Sequence, residues 1–370
     1  MDSLTLDSSK FHLVHYKNDQ FVNIRFLLNH FNNTDTTSKS DFSITSKVIK
    51  INNFDFIWEN QNVQSGIQGM DFDNIHVRKL NGEFSDFSMK NIVISSVVNQ
   101  IAFTEQSGFS VDTLECNFAM NSDSMGFNGL KIITPLSQIY GRYSMSHGDF
   151  KYYSDYIEQV SMSGYIENVN IDFQDIIYFS DNLIGFNEKF RGSGKFEGTV
   201  SDFVASELDI KFRNRSVIRG RVAMKGIPLI DSTIMDIKLV NSRMNPEDLV
   251  ALKLKAFSEN LNIKLPDFVK KYDEAVINGR LYGHYYNFKS NIEVNGKNGL
   301  LTGDFKLEKK KDKEFYYTGN FKSKGLKLGT LFETNELGVL SSNCTIKGRG
   351  FTKNTLKADV KGAISELELL

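Results

Sequence analysis

Six histidines, two cysteines and a few glycine- or acid-rich turns are the residues that would announce chemistry in this 370-residue chain. His12 and His15 are three apart, and in an extended segment that spacing sends them to opposite faces, which is poor metal geometry. Ser146-His147-Gly148-Asp149 holds the residue types of a hydrolytic triad. Such triads assemble in space rather than between sequence neighbours, so a polar turn is the better reading. Gly192-Ser193-Gly194-Lys195-Phe196-Glu197-Gly198 fails as a dinucleotide-binding loop, because its last spacing is one residue too long and no helix follows. Its glycines read as strand bends or bulges. Asp71, Asp73 and Asn74 lack the continuing ligand series of a calcium loop. Cys116 and Cys344 are too few for a four-cysteine zinc site or a disulfide framework. Lys309-Lys310-Lys311-Asp312-Lys313 reads as a solvated hairpin loop, with contact to anionic lipid headgroups as the functional alternative. No catalytic residue, metal site or cofactor is expected, and the chain is not expected to be an enzyme.

The elements that would position any site are strands. Apolar and polar residues alternate with period 2 in run after run: Leu208, Ile210 and Phe212; Ile218, Gly220, Val222 and Met224; Met235, Ile237 and Leu239; Leu356, Ala358, Val360, Gly362 and Ile364. The N-terminal half does the same with Phe54, Phe56 and Trp58, and with Leu114, Cys116, Phe118 and Met120. Val160, Met162, Gly164 and Ile166 form another run, which breaks at Asn168. Roughly two dozen such runs are bounded by Gly, Asn, Asp or Ser, the pattern of strands with one dry face and one wet face. Helical signal is confined to Asn245-Pro246-Glu247-Asp248, an N-cap, a proline and first-turn acids followed by Leu249, Val250, Leu252 and Phe257, and to a short turn at Pro266 to Tyr272.

The balance of 44 basic and 45 acidic side chains gives no global electrostatic footprint for nucleic acid, and none is expected as a partner. Four prolines and a mean hydropathy of −0.30 argue against a disordered or collagen-like chain. No apolar run approaches the roughly 20 residues of a membrane helix, and the start has no signal-peptide character. The last residues, Leu367 to Leu370, read as mid-strand, so an internal piece of a longer protein is expected.

An internal repeat is visible. Gly194, Gly198 and Phe203 recur as Gly279, Gly283 and Phe288, each 85 residues on. Leu208 and Ile210 then match Ile292 and Val294, Gly220 matches Gly303, and Leu239, Met244 and Leu249 match Phe321, Leu326 and Leu331. Ile346-Lys347-Gly348-Arg349-Gly350-Phe351 repeats the style of Phe190 to Gly194. The expected organisation is an N-terminal segment at 1–155 and repeated units over 156–370, at about 190–275 and 276–345, with a third starting at 346. Units of this kind bury apolar surface by joining their neighbours.

At Gly279 to Gly283 the pattern Gly-x-Leu-x-Gly, then Leu326-x-Leu328-Gly329-x-Leu331 and Leu337-Gly338-x-Leu340-Ser341 leading to Gly348-x-Gly350, resemble the AsmA-like superfamily, closest to TamB-type proteins of Bacteroidetes. Ser107-Gly108-Phe109 and Thr134-Pro135-Leu136-Ser137-Gln138-Ile139-Tyr140-Gly141 agree with it. The resemblance covers nearly the whole chain, through motifs that mark strand edges and turns rather than a chemical site. It implies a periplasmic part of a cell-envelope protein, anchored in the inner membrane when full-length and meeting an outer-membrane barrel partner. It also implies an elongated, twisted antiparallel sheet rolled into an open U-shaped groove, with one or two short helices. The implied function is phospholipid transport and outer-membrane assembly, with the anchor and the barrel-docking domain expected to lie outside this piece of the protein.

Acyl chains need a continuous dry surface, since each buried methylene gains about 0.8 kcal/mol. The expected groove lining is Leu208, Ile210, Phe212, Ile218, Val222, Met224, Ile237, Leu239, Ile292, Val294, Phe305, Leu307 and Phe321. Thirty phenylalanines against one tryptophan suit an interior without polar ring atoms to satisfy. The rival reading is a structural or adhesive β-sandwich module, extracellular or cytosolic, which buries the same residues in closed cores. An enzyme on a β-scaffold would need clustered carboxylates and bases, which are not evident.

Overall fold

A computed structural model describes residues 1–25, 43–64, 66, 69–146, 148, 152, 155–179, 184–227, 229, 232–251, 274–310, 314–350 and 355–369. His30, His147, Asp149, Leu252, Phe257, the Pro266 to Tyr272 turn, Lys311 to Lys313 and Phe351 lie outside the described residues. Two compact units are present, residues 1–155 with 159–189 and residues 156–158 with 190–370.

The first unit is built on β1 (Ser3–Asp7), β2 (Lys10–His15), β3 (Ser43–Asn60), β4 (Asn74–Lys90), β5 (Val93–Glu105), β6 (Ser110–Met120), β7 (Ser124–Ile133), β8 (Gln138–Ser146) and β9 (Ser161–Asp172). From β3 to β9 each strand pairs antiparallel with the next. An all-antiparallel sheet was the expectation, but β1 and β2 both run parallel to β3, one after the other along the same edge. The second unit is β10 (Lys189–Gly198), β11 (Asp202–Phe212), β12 (Ser216–Lys225), β13 (Ile234–Met244), β14 (Ala275–His284), β15 (Asn287–Gly296), β16 (Gly299–Lys309), β17 (Phe315–Lys327), β18 (Leu337–Arg349) and β19 (Lys357–Leu369). These pair antiparallel in chain order. Each unit is therefore an open ladder of hydrogen-bonded neighbouring strands.

The described residues form nineteen strands rather than about two dozen, because β-bulges weld adjacent alternating runs into one strand. In β3 the register shifts between Ile51 and Phe54, at Asn53 with φ 49°. In β9 it shifts opposite Tyr140 and Gly141, which is where the alternation breaks before Asn168. A bulge leaves a backbone N–H without its ladder partner, and that donor must be satisfied. A side chain on the neighbouring strand does this repeatedly. The N–H of Asn53 donates to Asn81 Oδ1 at 2.9 Å, that of Asn241 to Asn278 Oδ1 at 2.7 Å, and that of Gly325 to Ser341 Oγ at 3.0 Å.

Four short α-helices and a one-turn 3-10 helix (Ile177–Phe179) are present among the described residues, more than the one or two helices expected: α1 (Tyr156–Gln159), α2 (Phe173–Ile176), α3 (Pro246–Ala251) and α4 (Leu328–Phe332). The last three each follow the fourth strand of a quartet, β6–β9, β10–β13 and β14–β17. Each docks on the turn between that quartet's second and third strands. Asn245 caps α3 as expected, its Oδ1 accepting from the Glu247 N–H at 2.9 Å. The Asn245 N–H itself donates to Ser216 Oγ at 3.0 Å. The same arrangement holds α2, where the Asp172 N–H donates to Ser137 Oγ at 3.0 Å. At α4 the Lys327 N–H donates to the Asn298 carbonyl at 3.0 Å.

Candidate functional site: one apolar sheet face

Cross-strand partners in a sheet point to the same face, so the register assigns every side chain of unit 2 to one side. All thirteen expected lining residues fall on a single face. One rung runs Leu208, Gly220, Leu239, Gly279, Ile292, Gly303, Phe321, Cys344, Gly362 across β11 to β19. Gly194 of β10 lies against Leu208 at the start of that rung. A second rung carries Val222, Ile237, Leu281, Ser290 and Phe305, and ends at Gly319, Ile346 and Val360. A third carries Met224, Met235, Gly283, Phe288, Leu307 and Tyr317. Val294 pairs with Ile277 and Leu301, Ile210 with Ile218, and Phe212 with Phe190. From Gly194 to Gly362 the first rung crosses ten strands, roughly 40 Å at ~4.8 Å per strand.

Large and absent side chains alternate along the first rung for a packing reason. A Cβ on Gly303 would lie 2.5 Å from Phe321 Cδ1, and one on Gly319 would lie 2.6 Å from Phe321 Cε2. The Phe321 ring therefore lies across two glycines of adjacent rungs. At Gly220, φ is +139° and a Cβ would meet the Lys238 carbonyl oxygen at 1.9 Å, so only glycine fits. The rings of Phe288, Phe305, Tyr317 and Phe321 continue the surface, with Phe305 centroids 6.1, 6.3 and 6.4 Å from the other three.

Burial separates this face from an ordinary core. Phe212 is 1% exposed, while the other twelve expected residues are all half-buried. The face is dry enough to be apolar and open enough to be reached. The opposite face of the same strands is polar. Arg280 and Arg221 both engage Asp236, with Arg280 Nε to Asp236 Oδ1 at 2.6 Å and Arg221 Nη1 to Oδ2 at 3.1 Å. The hydrogen bond and charge of Arg280, with help from Arg221, hold the Asp236 carboxyl below its usual range against the opposing effect of burial. That face also has shallow crevices of about 480–670 Å³ lined by residues such as Asn291, Asp304 and Asn320.

Unit 1 has an apolar face of its own, which the sequence pattern suggested without naming a site. Val98, Ile101, Cys116 and Leu130 are buried there, surrounded by Phe84, Phe103, Phe118, Phe127 and Tyr143. One rung of this face is almost entirely methionine: Met89, Ile94, Met120, Met125, Met145, Met162. All six are half-buried. The available signal was the recurring Ser-Met pair at 124–125, 144–145 and 161–162. Methionine is flexible and polarisable and suits a surface that must accept varied apolar shapes.

The residues screened for chemistry do not converge. His12 Nε2 meets Glu59 Oε2 at 3.0 Å and His15 Nε2 meets the Asp19 carbonyl at 2.9 Å. Asp71 accepts from the N–H groups of Gly66 and Asp73 at 2.8 and 3.0 Å and from Asn74 Nδ2 at 3.2 Å, all turn-forming bonds. Among the described residues no cluster of three His, Cys, Asp or Glu is placed to hold a metal ion. Gly192 to Gly198 lie within β10, with a register shift between Ser193 and Lys195. Among the described residues no helix is long and apolar enough to cross a membrane. Comparison of the chain with family models, with characterised proteins and with solved structures gives no match.

Proposed function

We propose that the chain is a non-enzymatic segment of an AsmA/TamB-like envelope protein whose apolar sheet face shelters phospholipid acyl chains on their way between the inner and outer membranes, in support of outer-membrane assembly. The observation that carries this reading is the continuity of the face from Leu208 to Val360, half-buried at Leu208, Leu239, Ile292 and Phe321 and exposed at Val360. A soluble protein rarely leaves such a stretch without a cover unless it has something to bind. Curling of the sheet into a U would leave headgroups in water while acyl chains lie along the rungs. The site of action is the periplasm, with the inner-membrane anchor and the outer-membrane barrel as partners of the complete protein. The rival, a closed β-sandwich module, would require a second sheet against the same face and full burial of Leu239, Ile292 and Phe321, which are half-buried.

A photo-crosslinkable phospholipid tests the reading. Adducts on Leu239, Ile292 and Phe321 and none on Lys238, Asn291 or Asn320, their neighbours on the polar side, are expected. Adducts spread equally over both faces, or none at all, would remove the support for a conduit.

A further inference from the structure

Charge is distributed unevenly along this nearly neutral chain. Residues 1–189 carry 13 basic and 23 acidic side chains, while residues 190–370 carry 31 basic and 22 acidic. In unit 2, the turns β12–β13, β14–β15, β16–β17 and β18–β19 all lie at the same end of the strands, because consecutive antiparallel strands return there. At this end Lys309 and Lys310 are not free in solvent, as a simple solvated loop would leave them. Lys309 Nζ lies 4.0 Å from the Tyr286 ring centroid and Lys310 Nζ lies 4.1 Å from that of Tyr316. The Lys309 N–H donates to the Tyr286 carbonyl at 3.1 Å, which ties the two turns together. Tyr285 stacks edge-on against Tyr286 at 4.6 Å, and Phe315 lies 5.9 Å from Tyr286. Among the described acids nearby, Glu314 pairs with Arg349 at 3.1 Å and Glu308 with Lys306.

Two leucines stand out of the same end. Leu229, in the β12–β13 turn, is 71% exposed, and Leu356, just before β19, is 55% exposed. Tyrosines with apolar bodies and polar tips, lysines, and exposed leucines at loop ends are the combination that settles at a bilayer interface. The third apolar rung, with Phe288, Leu307 and Tyr317, is the one nearest this end.

We propose that this end of unit 2 docks on an anionic phospholipid surface, its lysines among the headgroups and Leu229 and Leu356 at the acyl boundary. Docking there would place the third rung of the apolar face next to the membrane, so the proposal deepens the conduit reading and rests on it for its purpose. A nucleic acid is the less suitable partner. Base stacking needs open ring faces, whereas Tyr286 and Tyr316 already hold lysine ammonium groups over theirs.

Co-sedimentation of the full chain with vesicles tests this, using phosphatidylcholine alone and phosphatidylcholine mixed with phosphatidylglycerol. Binding to the mixed vesicles only, falling as salt is raised, is expected. Lys309→Gln with Lys310→Gln should weaken it on the order of tenfold. Lys297→Gln with Lys327→Gln removes the same charge from the opposite end and should leave binding within about twofold. Leu229→Ser should weaken what binding remains at high salt. Equal loss in the two lysine pairs would mean unspecific attraction and overturn the proposal. So would binding to neutral vesicles alone, or displacement of the vesicles by a single-stranded oligonucleotide. The salt dependence of the unaltered chain reads the same interaction if a variant does not fold. Vesicle binding without any lipid adduct on the apolar face would keep the docking and discard the conduit.

Discussion

The Ser216 hydroxyl donates to Asp248 Oδ2 at 2.8 Å while accepting from the Asn245 N–H. Ser137 does the same one quartet earlier, donating to Asp175 Oδ2 at 2.5 Å and accepting from the Asp172 N–H. In both cases a hairpin serine bridges the residue that caps a short helix and the carboxylate three residues on. These helices have one turn or little more, so they cannot stand on internal hydrogen bonds. The serine supplies the tertiary bond that fixes each helix over the strand ends.

Ser216→Ala should therefore destabilise the protein by about 1–3 kcal/mol, because Asp248 is buried and would lose a donor. Asp248→Asn should cost a similar amount. The double variant should cost clearly less than the two together, since both remove one contact. Urea melts of the three proteins measure this, and simple additivity would show that the pair does not act as a unit.

Leu239→Asp and Ile210→Arg separate an open face from a closed core. Both residues are half-buried, so the new charge can reach water and the protein should still melt cooperatively. Uptake of a fluorescent phospholipid should be lost in both. Outright unfolding, seen by circular dichroism, would indicate that the face is covered.

Glu105 should set part of the acid stability of unit 1. It is 2% exposed, and burial alone would raise its pKa. The Ser107 side chain, the N–H groups of Ser107 and His76, at 2.7 and 3.0 Å, and that of Gln106 outweigh burial and hold it below the usual carboxylate value. A lowered folded pKa gives stability that is present above the unfolded value, about 4.3, and is lost as pH falls through the folded one. Glu105→Gln should lower the melting temperature at neutral pH and flatten its fall in acid. A parallel downward shift of the whole curve would contradict this assignment.

The two cysteines report on opposite situations. Cys116 is buried in the unit 1 core, and burial raises its thiol pKa, so alkylation at neutral pH should wait for unfolding. Cys344 sits on the first rung beside Phe321, half-buried. It should react in the folded chain and be protected by added phospholipid. Labelling of Cys344 that is indifferent to lipid would place the ligand elsewhere.

Much of the apolar face was legible in the sequence because period-2 alternation survives wherever pairing is regular, as it does from β14 to β17. Residues matched 85 positions apart occupy corresponding places at hairpin ends. Gly198 pairs with Phe203 and Gly283 with Phe288, and Leu208–Gly220–Leu239 occupies the same rung as Ile292–Gly303–Phe321. Bulges hid the rest. At Gln100, Glu207 and Asn241 a residue with φ near +50° shifts the phase, so one strand looks like two. The Ser137 and Ser216 bridges and the methionine rung join residues from separate strands and turns, and register alone brings those together. The parallel edge strands β1 and β2 had no local signature, since each is a short alternating run like the others.

Native mass spectrometry of the purified chain, with lipid extraction of the same sample, tests the central claim most directly. The account predicts bound phospholipids that detergent displaces and that Leu239→Asp abolishes. A clean unliganded mass that takes up no added phospholipid would contradict it.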